Sequence, residues 1–164
     1  MENIEYYENG QIKSRKFLNK YGDSVYEKFS LNGKLIKCIE YLTTGEKRKE
    51  TTYNENGQKK REIMYRNEMM VKEIEYYSNG ERKTETSISP NREKRYIEFY
   101  PNGQAKIGQL FKNGVCIEQM RYSEDGTKDK VDVAVIITKK VAKTVFKIGK
   151  VIGKSLLEQA AKRK

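Results

Sequence analysis

The sequence contains no histidine among its 164 residues. Histidine is the commonest general base, a frequent metal ligand and the partner of serine and cysteine nucleophiles, so its absence removes all three kinds of site at once. The two cysteines, Cys38 and Cys116, are too far apart to form a metal-binding motif, and we expect both to be reduced strand residues. We therefore predict no catalytic residue, no metal site, no cofactor and no enzymatic activity.

Long apolar segments are also absent. No uncharged apolar run approaches the roughly 18 residues of a membrane-spanning helix, and the N-terminal stretch MENIEYYENG has neither the basic nor the apolar part of a signal peptide. We therefore expect a cytoplasmic protein. Only 36% of the residues are hydrophobic and 35% are charged, but twelve tyrosines and five phenylalanines argue against disorder. These proportions predict a folded chain with a thin core.

A turn signal recurs every 11 or 12 residues over residues 1–127. It is a glycine at nine of eleven positions, with Glu68 and Arg92 at the other two, and the preceding residue is asparagine at eight. Because Asn-Gly tolerates positive φ at both central residues of a type I′ turn, the pattern predicts eleven tight hairpins. The spacing leaves no room for crossover helices, so it predicts an elongated antiparallel β-meander of about twelve strands.

An apolar or aromatic residue stands four positions before each turn residue. Since side chains alternate between the faces of a strand, this fixed offset predicts one buried stripe on one face and a charged, solvated opposite face. The stripe consists of Tyr6, Leu18, Phe29, Tyr41, Tyr53, Met64, Tyr76, Ile88, Phe99, Leu110 and Tyr122.

Some units carry a second aromatic residue, three positions before the turn residue, which alternation places on the other face. Because these residues occur irregularly, they are better candidates for contact with a partner than the structural stripe is. The predicted partner-binding residues are Tyr7, Tyr65, Tyr77, Tyr100 and Phe111.

The double-turn unit of about 23 residues begins with YYxNGxxK, as in Tyr76, Tyr77, Asn79, Gly80 and Lys83. This unit resembles the bacterial variant of the MORN repeat, from which YwqK-type antitoxins are built, and the resemblance covers roughly residues 2–127. It implies a non-enzymatic binding or scaffold module, in bacteria often encoded beside a toxin that it neutralises.

The sequence changes character at residue 128. Residues 128–164 contain eleven Lys or Arg and three Asp or Glu, so they carry +8 of the total net charge of +11. Apolar residues recur there at helical spacing from Ile137 to Ala160, which predicts a basic amphipathic helix, although VDVAVIIT would also suit a last strand. The residues expected to meet an anionic bilayer are Lys139, Lys140, Lys143, Phe146, Lys147, Lys150 and Lys154.

Three roles for this tail remain open from the sequence: a cover for the sheet, an interfacial membrane helix, or a helix that binds a protein groove. Nucleic acid is an unfavourable partner, because acidic residues alternate with the basic residues of the repeats and weaken their field.

The leading functional hypothesis is an antitoxin or immunity protein that occludes a toxin or another protein partner with its repeat surface. The alternative is a peripheral membrane protein whose tail binds or perturbs anionic bilayers while the repeats recruit a partner.

Overall fold

The computed structural model describes residues 2–129 and folds them into one antiparallel sheet, whose twelve strands follow one another in chain order. The strands are β1 (Asn3–Tyr6), β2 (Ile12–Leu18), β3 (Ser24–Phe29), β4 (Leu35–Tyr41), β5 (Lys47–Tyr53), β6 (Lys59–Arg66), β7 (Met69–Tyr76), β8 (Arg82–Ile88), β9 (Lys94–Phe99), β10 (Ala105–Lys112), β11 (Val115–Tyr122) and β12 (Lys128–Asp129). The predicted antiparallel meander is confirmed for this part of the chain. The basic helix predicted over residues 128–164 falls almost entirely outside it, so both the helix and the division of the chain at residue 127 stay predictions.

The sheet is a single layer within the described residues. Its main strand-to-strand contacts join neighbours in the sequence, and residues 2–129 contain no helix that could lie across either face. The buried hydrophobic side chains of this part of the chain are Val25, Ile39, Ile63, Ile74 and Phe99. Such a thin core agrees with the composition and leaves much of the stability to contacts between adjacent strands.

The eleven hairpin turns adopt two geometries. Nine have three-residue loops. At the first turn, for example, Tyr7 N–H donates to the Gln11 carbonyl at 2.8 Å and Gly10 N–H to the Tyr7 carbonyl at 2.9 Å. Only the last loop residue has positive φ there, as in a type I turn followed by a left-handed residue. The other two turns, Asn67-Glu68 and Asn113-Gly114, have positive φ at both residues and are type I′.

All eleven predicted hairpins are present, but the type I′ geometry that explains the preference for Asn-Gly occurs at only two of them. Asparagine is favoured in several of the three-residue loops for another reason, because its side chain accepts a main-chain hydrogen bond. Asn9 Oδ1 accepts from Gln11 N–H at 3.1 Å, and Asn79 Oδ1 accepts from Glu81 N–H at 3.0 Å. Such local bonds stabilise turns without requiring positive φ at the asparagine.

A β-bulge follows eight of the turns, at the third residue after the last left-handed residue. Each appears as a shift of register in which one residue has no partner on the neighbouring strand. The extra residues are Lys13, Ile36, Arg48, Lys60, Val71, Lys83, Lys106 and Ile117. The lysine that ends the repeated YYxNGxxK unit is therefore a bulge residue, at a position where the strand bends and its twist increases.

The strand register divides the predicted stripe between two faces. We call the face that carries Val25 and Ile74 face A, and the face that carries Ile39 and Ile63 face B. Eight stripe residues lie on face A, but Leu18, Tyr41 and Ile88 lie on face B. The prediction of a single stripe is wrong at these three positions, because the face depends on turn spacing, loop length and bulge together. Both faces also carry ion pairs, so the prediction of one charged face is wrong as well.

Three carboxylates, Glu50, Glu62 and Glu85, bind cations in one repeated arrangement. Each lies within 3.0 Å of a cation three residues earlier and of a lysine on the preceding strand. The cations are Lys47 and Lys37 for Glu50, Lys59 and Lys49 for Glu62, and Arg82 and Lys72 for Glu85. These pairs neutralise part of the basic charge of the repeats.

Glu62 is the most buried of these carboxylates and also accepts a hydrogen bond from the Tyr76 hydroxyl. Burial alone raises the pKa of Glu62, but the hydrogen bonds from Lys49, Tyr76 and Lys59 outweigh it and hold the pKa at about 2, against an ordinary 4.5. The charged form is thus favoured in the folded protein, and Glu62 contributes to stability mainly as an anion.

Replacing a left-handed turn glycine should cost stability through the backbone alone. Gly57 has φ of 79°, and a Cβ atom added there would meet nothing within 4 Å. We expect Gly57→Ala to lower the free energy of unfolding by about 1 kcal/mol in urea titration, because alanine disfavours this conformation. The matched control is Gly108→Ala in β10, where φ is not in the left-handed region and the space is also open. An equal loss in both variants would contradict this explanation.

The Glu62 site predicts a pH dependence of stability. Its lowered pKa means that the stabilisation is fully present above pH 4.5 and is lost as the pH falls towards about 2. We expect Glu62→Gln to lose about 2 kcal/mol at neutral pH, as for a charged hydrogen-bonding group, and less as the pH falls through that window. Urea titrations at several pH values measure this. Glu118→Gln, at an exposed position on β11, should show neither effect.

Candidate partner-binding surface

The hairpin turns lie along two opposite edges of the sheet. The odd-turn edge contains the turns that end at Gly10, Gly33, Gly57, Gly80, Gly103 and Gly126. The even-turn edge contains those that end at Gly22, Gly45, Glu68, Arg92 and Gly114. Neighbouring turns of one edge are two strands apart, or about 10 Å. The two edges differ in their side-chain contacts.

At the odd-turn edge, three tyrosines connect their own turn to the next turn of the same edge. Each is the first residue of its turn, and its hydroxyl donates to a main-chain carbonyl 22 residues later. The bonds run from Tyr7 to Phe29 at 2.8 Å, from Tyr77 to Phe99 at 2.8 Å and from Tyr100 to Tyr122 at 3.1 Å.

The asparagine of the same three turns makes a second connection. The side-chain amides of Asn9, Asn79 and Asn102 donate to carbonyls that are also 22 residues later, at 3.4, 2.8 and 3.0 Å. We call each Tyr-x-Asn pair with these bonds an inter-turn link. The links satisfy main-chain carbonyls at the sheet edge and hold successive repeats in register.

Three of the predicted partner-binding residues, Tyr7, Tyr77 and Tyr100, therefore belong to inter-turn links. Their rings are half-buried, and the Lys106 ammonium lies 5.7 Å from the centre of the Tyr100 ring. The structure assigns their hydroxyl groups to the fold of the chain itself. Their contact with a partner stays a prediction.

The other two predicted residues, Tyr65 and Phe111, also stand three positions before the last turn residue, but they lie within strands and not in turns. Because their hairpins have two-residue turns, both residues lie inside strands on face B, near the even-turn edge. The Lys47 ammonium lies 5.0 Å from the centre of the Tyr65 ring, and that of Lys94 lies 5.6 Å from the centre of the Phe111 ring. At these distances the lysine and the ring form a cation–π interaction, which stabilises a partly exposed pair by about 0.5–1 kcal/mol.

Sequence reasoning missed a third aromatic residue of this group, Tyr41. It pairs with Lys47 across strands β4 and β5, and the Lys16 ammonium lies 5.9 Å from the centre of its ring. The fixed offset predicts face A for Tyr41, and only the bulge at Ile36 and the loop length before β4 reveal that it lies on face B. We call Tyr41, Tyr65 and Phe111, with Lys16, Lys47 and Lys94, the aromatic–lysine row.

Large apolar side chains are exposed at the even-turn edge. They are Leu18, Tyr21, Leu42, Met69 and Val115. Leu18 lies on the face of this row, and Met69 and Val115 lie on the opposite face. Leu31 and Tyr6 are the corresponding exposed side chains at the odd-turn edge, and Met120 is exposed in the half of β11 nearer that edge. The even-turn edge also exposes the cations Lys20, Arg66, Arg92 and Lys112. An exposed apolar cluster bordered by cations is typical of a surface that binds another macromolecule.

The described residues show little that would support covalent or metal chemistry. Burial raises the pKa of the Cys38 thiol to about 11, with further effects from the Glu27 and Glu40 carboxylates, so the thiol stays protonated near neutral pH. Over residues 2–129, no group of three or more His, Cys, Asp or Glu side chains is placed to hold a metal ion. In the same range, no helix has the length and apolar character needed to cross a membrane.

The seven residues predicted to bind membrane lie outside the described residues. They are Lys139, Lys140, Lys143, Phe146, Lys147, Lys150 and Lys154. Their role, and membrane association through the tail, stay predictions.

The inter-turn links predict a measurable contribution from a single hydroxyl group. We expect Tyr77→Phe to lower the free energy of unfolding by about 1 kcal/mol in urea titration, because it removes one hydrogen bond and leaves the Phe99 carbonyl without that donor. Tyr26→Phe is the matched control, since Tyr26 is also half-buried but its hydroxyl has no hydrogen bond within residues 2–129. A loss of similar size in both variants would show that the link is not the cause.

Comparison with known protein families finds one that matches two segments of the chain. The MORN repeat variant matches residues 1–19, which include the hairpin of the first inter-turn link, and residues 49–67, which include most of β5, its turn and β6. No curated protein matches the chain. MORN repeats generally mediate protein or membrane binding and are not enzymes, which is consistent with a non-enzymatic binding role. The match and the repeated hairpins together support a MORN-repeat protein.

Proposed function

We propose that this chain is a non-enzymatic binding protein of the antitoxin or immunity type, which occludes a toxin or another protein partner with its repeat surface. The observation that carries the proposal is the number of exposed apolar side chains at the even-turn edge, the edge near which the aromatic–lysine row also lies. The MORN match supports a binding module, and the antitoxin role extends that support by analogy.

The even-turn edge suits a protein partner by its chemistry. Aromatic residues, methionine and arginine are enriched at protein interfaces, and half-buried rings bind with little further loss of side-chain freedom. The row from Tyr41 to Phe111 crosses six strand spacings, or about 29 Å, which is comparable to the width of a standard interface.

Charge favours an acidic partner at this edge. Lys16, Lys20, Arg66, Arg92 and Lys94 are exposed there, and none of them has a carboxylate partner among residues 2–129. The ion-paired carboxylates Glu50, Glu62 and Glu85 lie within the sheet and compensate other cations. Complementary charge of this kind raises association rates and sets specificity.

The first test asks whether the chain has a partner of the proposed type. We expect coexpression with a toxin encoded beside its gene to restore growth and the two purified proteins to form a stable complex. If the full-length chain neither restores growth nor binds that toxin, the antitoxin proposal is wrong.

The second test locates the surface by comparing two equally exposed positions. Met69 at the even-turn edge is 66% exposed and Leu31 at the odd-turn edge is 58% exposed, so neither substitution should disturb folding much. We expect Met69→Asp to weaken binding by about tenfold or more, as at an interface hot spot, and Leu31→Asp to leave the dissociation constant nearly unchanged. Titration calorimetry with the purified partner measures both. Equal effects would reject the even-turn edge and leave the binding function intact.

A further inference from the structure

Six hairpin turns contain an Asn-Gly pair, the dipeptide at which asparagine deamidates most readily. They are Asn9-Gly10, Asn32-Gly33, Asn56-Gly57, Asn79-Gly80, Asn102-Gly103 and Asn113-Gly114. Glycine has no side chain to hinder attack by its own main-chain nitrogen, so the local sequence alone makes all six susceptible. The turns that hold them differ, and this difference decides which one reacts.

The reaction needs no enzyme or cofactor. The glycine nitrogen attacks the asparagine Cγ atom, an N–Cγ bond forms, the Cγ–Nδ2 bond breaks, and ammonia leaves with the displaced proton. Water then opens the resulting succinimide at either carbonyl and gives aspartate or isoaspartate. Two groups must be free for this reaction: the glycine N–H and the asparagine side chain.

Five of the six pairs are in three-residue loops, in which the attacking glycine nitrogen is held by a hydrogen bond. In each, the glycine N–H donates to the carbonyl of the first turn residue, at 2.9 or 3.0 Å. In the three inter-turn links the asparagine side chain is held as well: at Asn79, the Oδ1 atom accepts from Glu81 N–H and the Nδ2 atom donates to the Pro101 carbonyl. Three hydrogen bonds must therefore open before Asn9, Asn79 or Asn102 reacts.

Asn113 differs in both respects. It lies in a type I′ turn, with φ of 51° at Asn113 and 74° at Gly114. In this geometry the flanking residues, Lys112 and Val115, close the hairpin, which leaves the Gly114 N–H free of the bond that the other glycines make. The Asn113 side chain is exposed and has no hydrogen bond within residues 2–129.

We propose that Asn113 is a site of spontaneous deamidation, selected by its type I′ turn, while the three-residue loops protect the other five Asn-Gly pairs. An isoaspartate at Asn113 lengthens the main chain by one carbon inside a turn whose two residues set the register of β10 against β11. Phe111 and Cys116 are the second residue pair from that turn, after Lys112 and Val115, so the modification alters one end of the aromatic–lysine row.

The test is a time course of deamidation on the folded, full-length chain in mildly alkaline buffer at physiological temperature. Each of the six pairs falls on a different tryptic peptide, because a Lys or Arg separates it from the next, so mass spectrometry follows all six at once. We expect Asn113 to convert about tenfold or more faster than Asn79 and Asn102, whose three hydrogen bonds must open first, with Asn32 and Asn56 between them.

The control is the same chain in concentrated urea, where the six rates should converge because the turns are gone. Conversion of Asn79 or Asn102 as fast as Asn113 in the folded chain would overturn the proposal. The proposal would also be wrong if the ratio of the Asn113 rate to the other five rates were the same in urea as in the folded chain. Asn113→Gln should abolish the fast conversion and leave the other five folded-state rates unaltered; a change in those rates would likewise contradict independent protection by each turn.

Discussion

A left-handed residue closes every hairpin of this sheet, and the number of such residues in each turn decides what the neighbouring side chains do. In a turn with one left-handed residue, the residue three positions before it is the first turn residue. At Tyr7, Tyr77 and Tyr100 the hydroxyl group of this first residue donates a hydrogen bond to the next repeat. In a turn with two left-handed residues, the residue three positions before the second one remains in its strand. Tyr65 and Phe111 are these residues, and their rings pack against lysines. The number of left-handed residues thus distinguishes the turns that carry an inter-turn link from the two turns beside Tyr65 and Phe111.

The thin core makes the sheet depend on bonds between neighbouring repeats. Five buried hydrophobic side chains are few for a sheet of twelve strands, and strands more than one place apart make few contacts. Inter-turn links at one edge and carboxylates such as Glu62, each with two cations, act in place of a second layer. Each repeat is then stabilised mainly by its neighbours, as in other repeat proteins, so the even-turn edge can carry exposed apolar groups without being needed for folding.

The repeat period, strand number and antiparallel order follow from the spacing of turn residues alone, because a step of 11 or 12 residues admits only hairpins. The face of each stripe residue does not follow, since a bulge or an added loop residue reverses the alternation, as Tyr41 shows. The candidate site was predictable in part: Tyr65 and Phe111 were found by their irregular occurrence, but their lysine neighbours depend on register. The inter-turn links could not be foreseen, because contacts 22 residues apart require the turn geometry.

Amide hydrogen exchange at the turn glycines, followed by NMR, tests the distinction between the two turn geometries most directly. The account predicts slow exchange at Gly80 and Gly103, whose N–H groups donate to the Tyr77 and Tyr100 carbonyls, and fast exchange at Gly114, whose N–H has no such bond. Equal exchange at all three glycines, or the slowest exchange at Gly114, would contradict it.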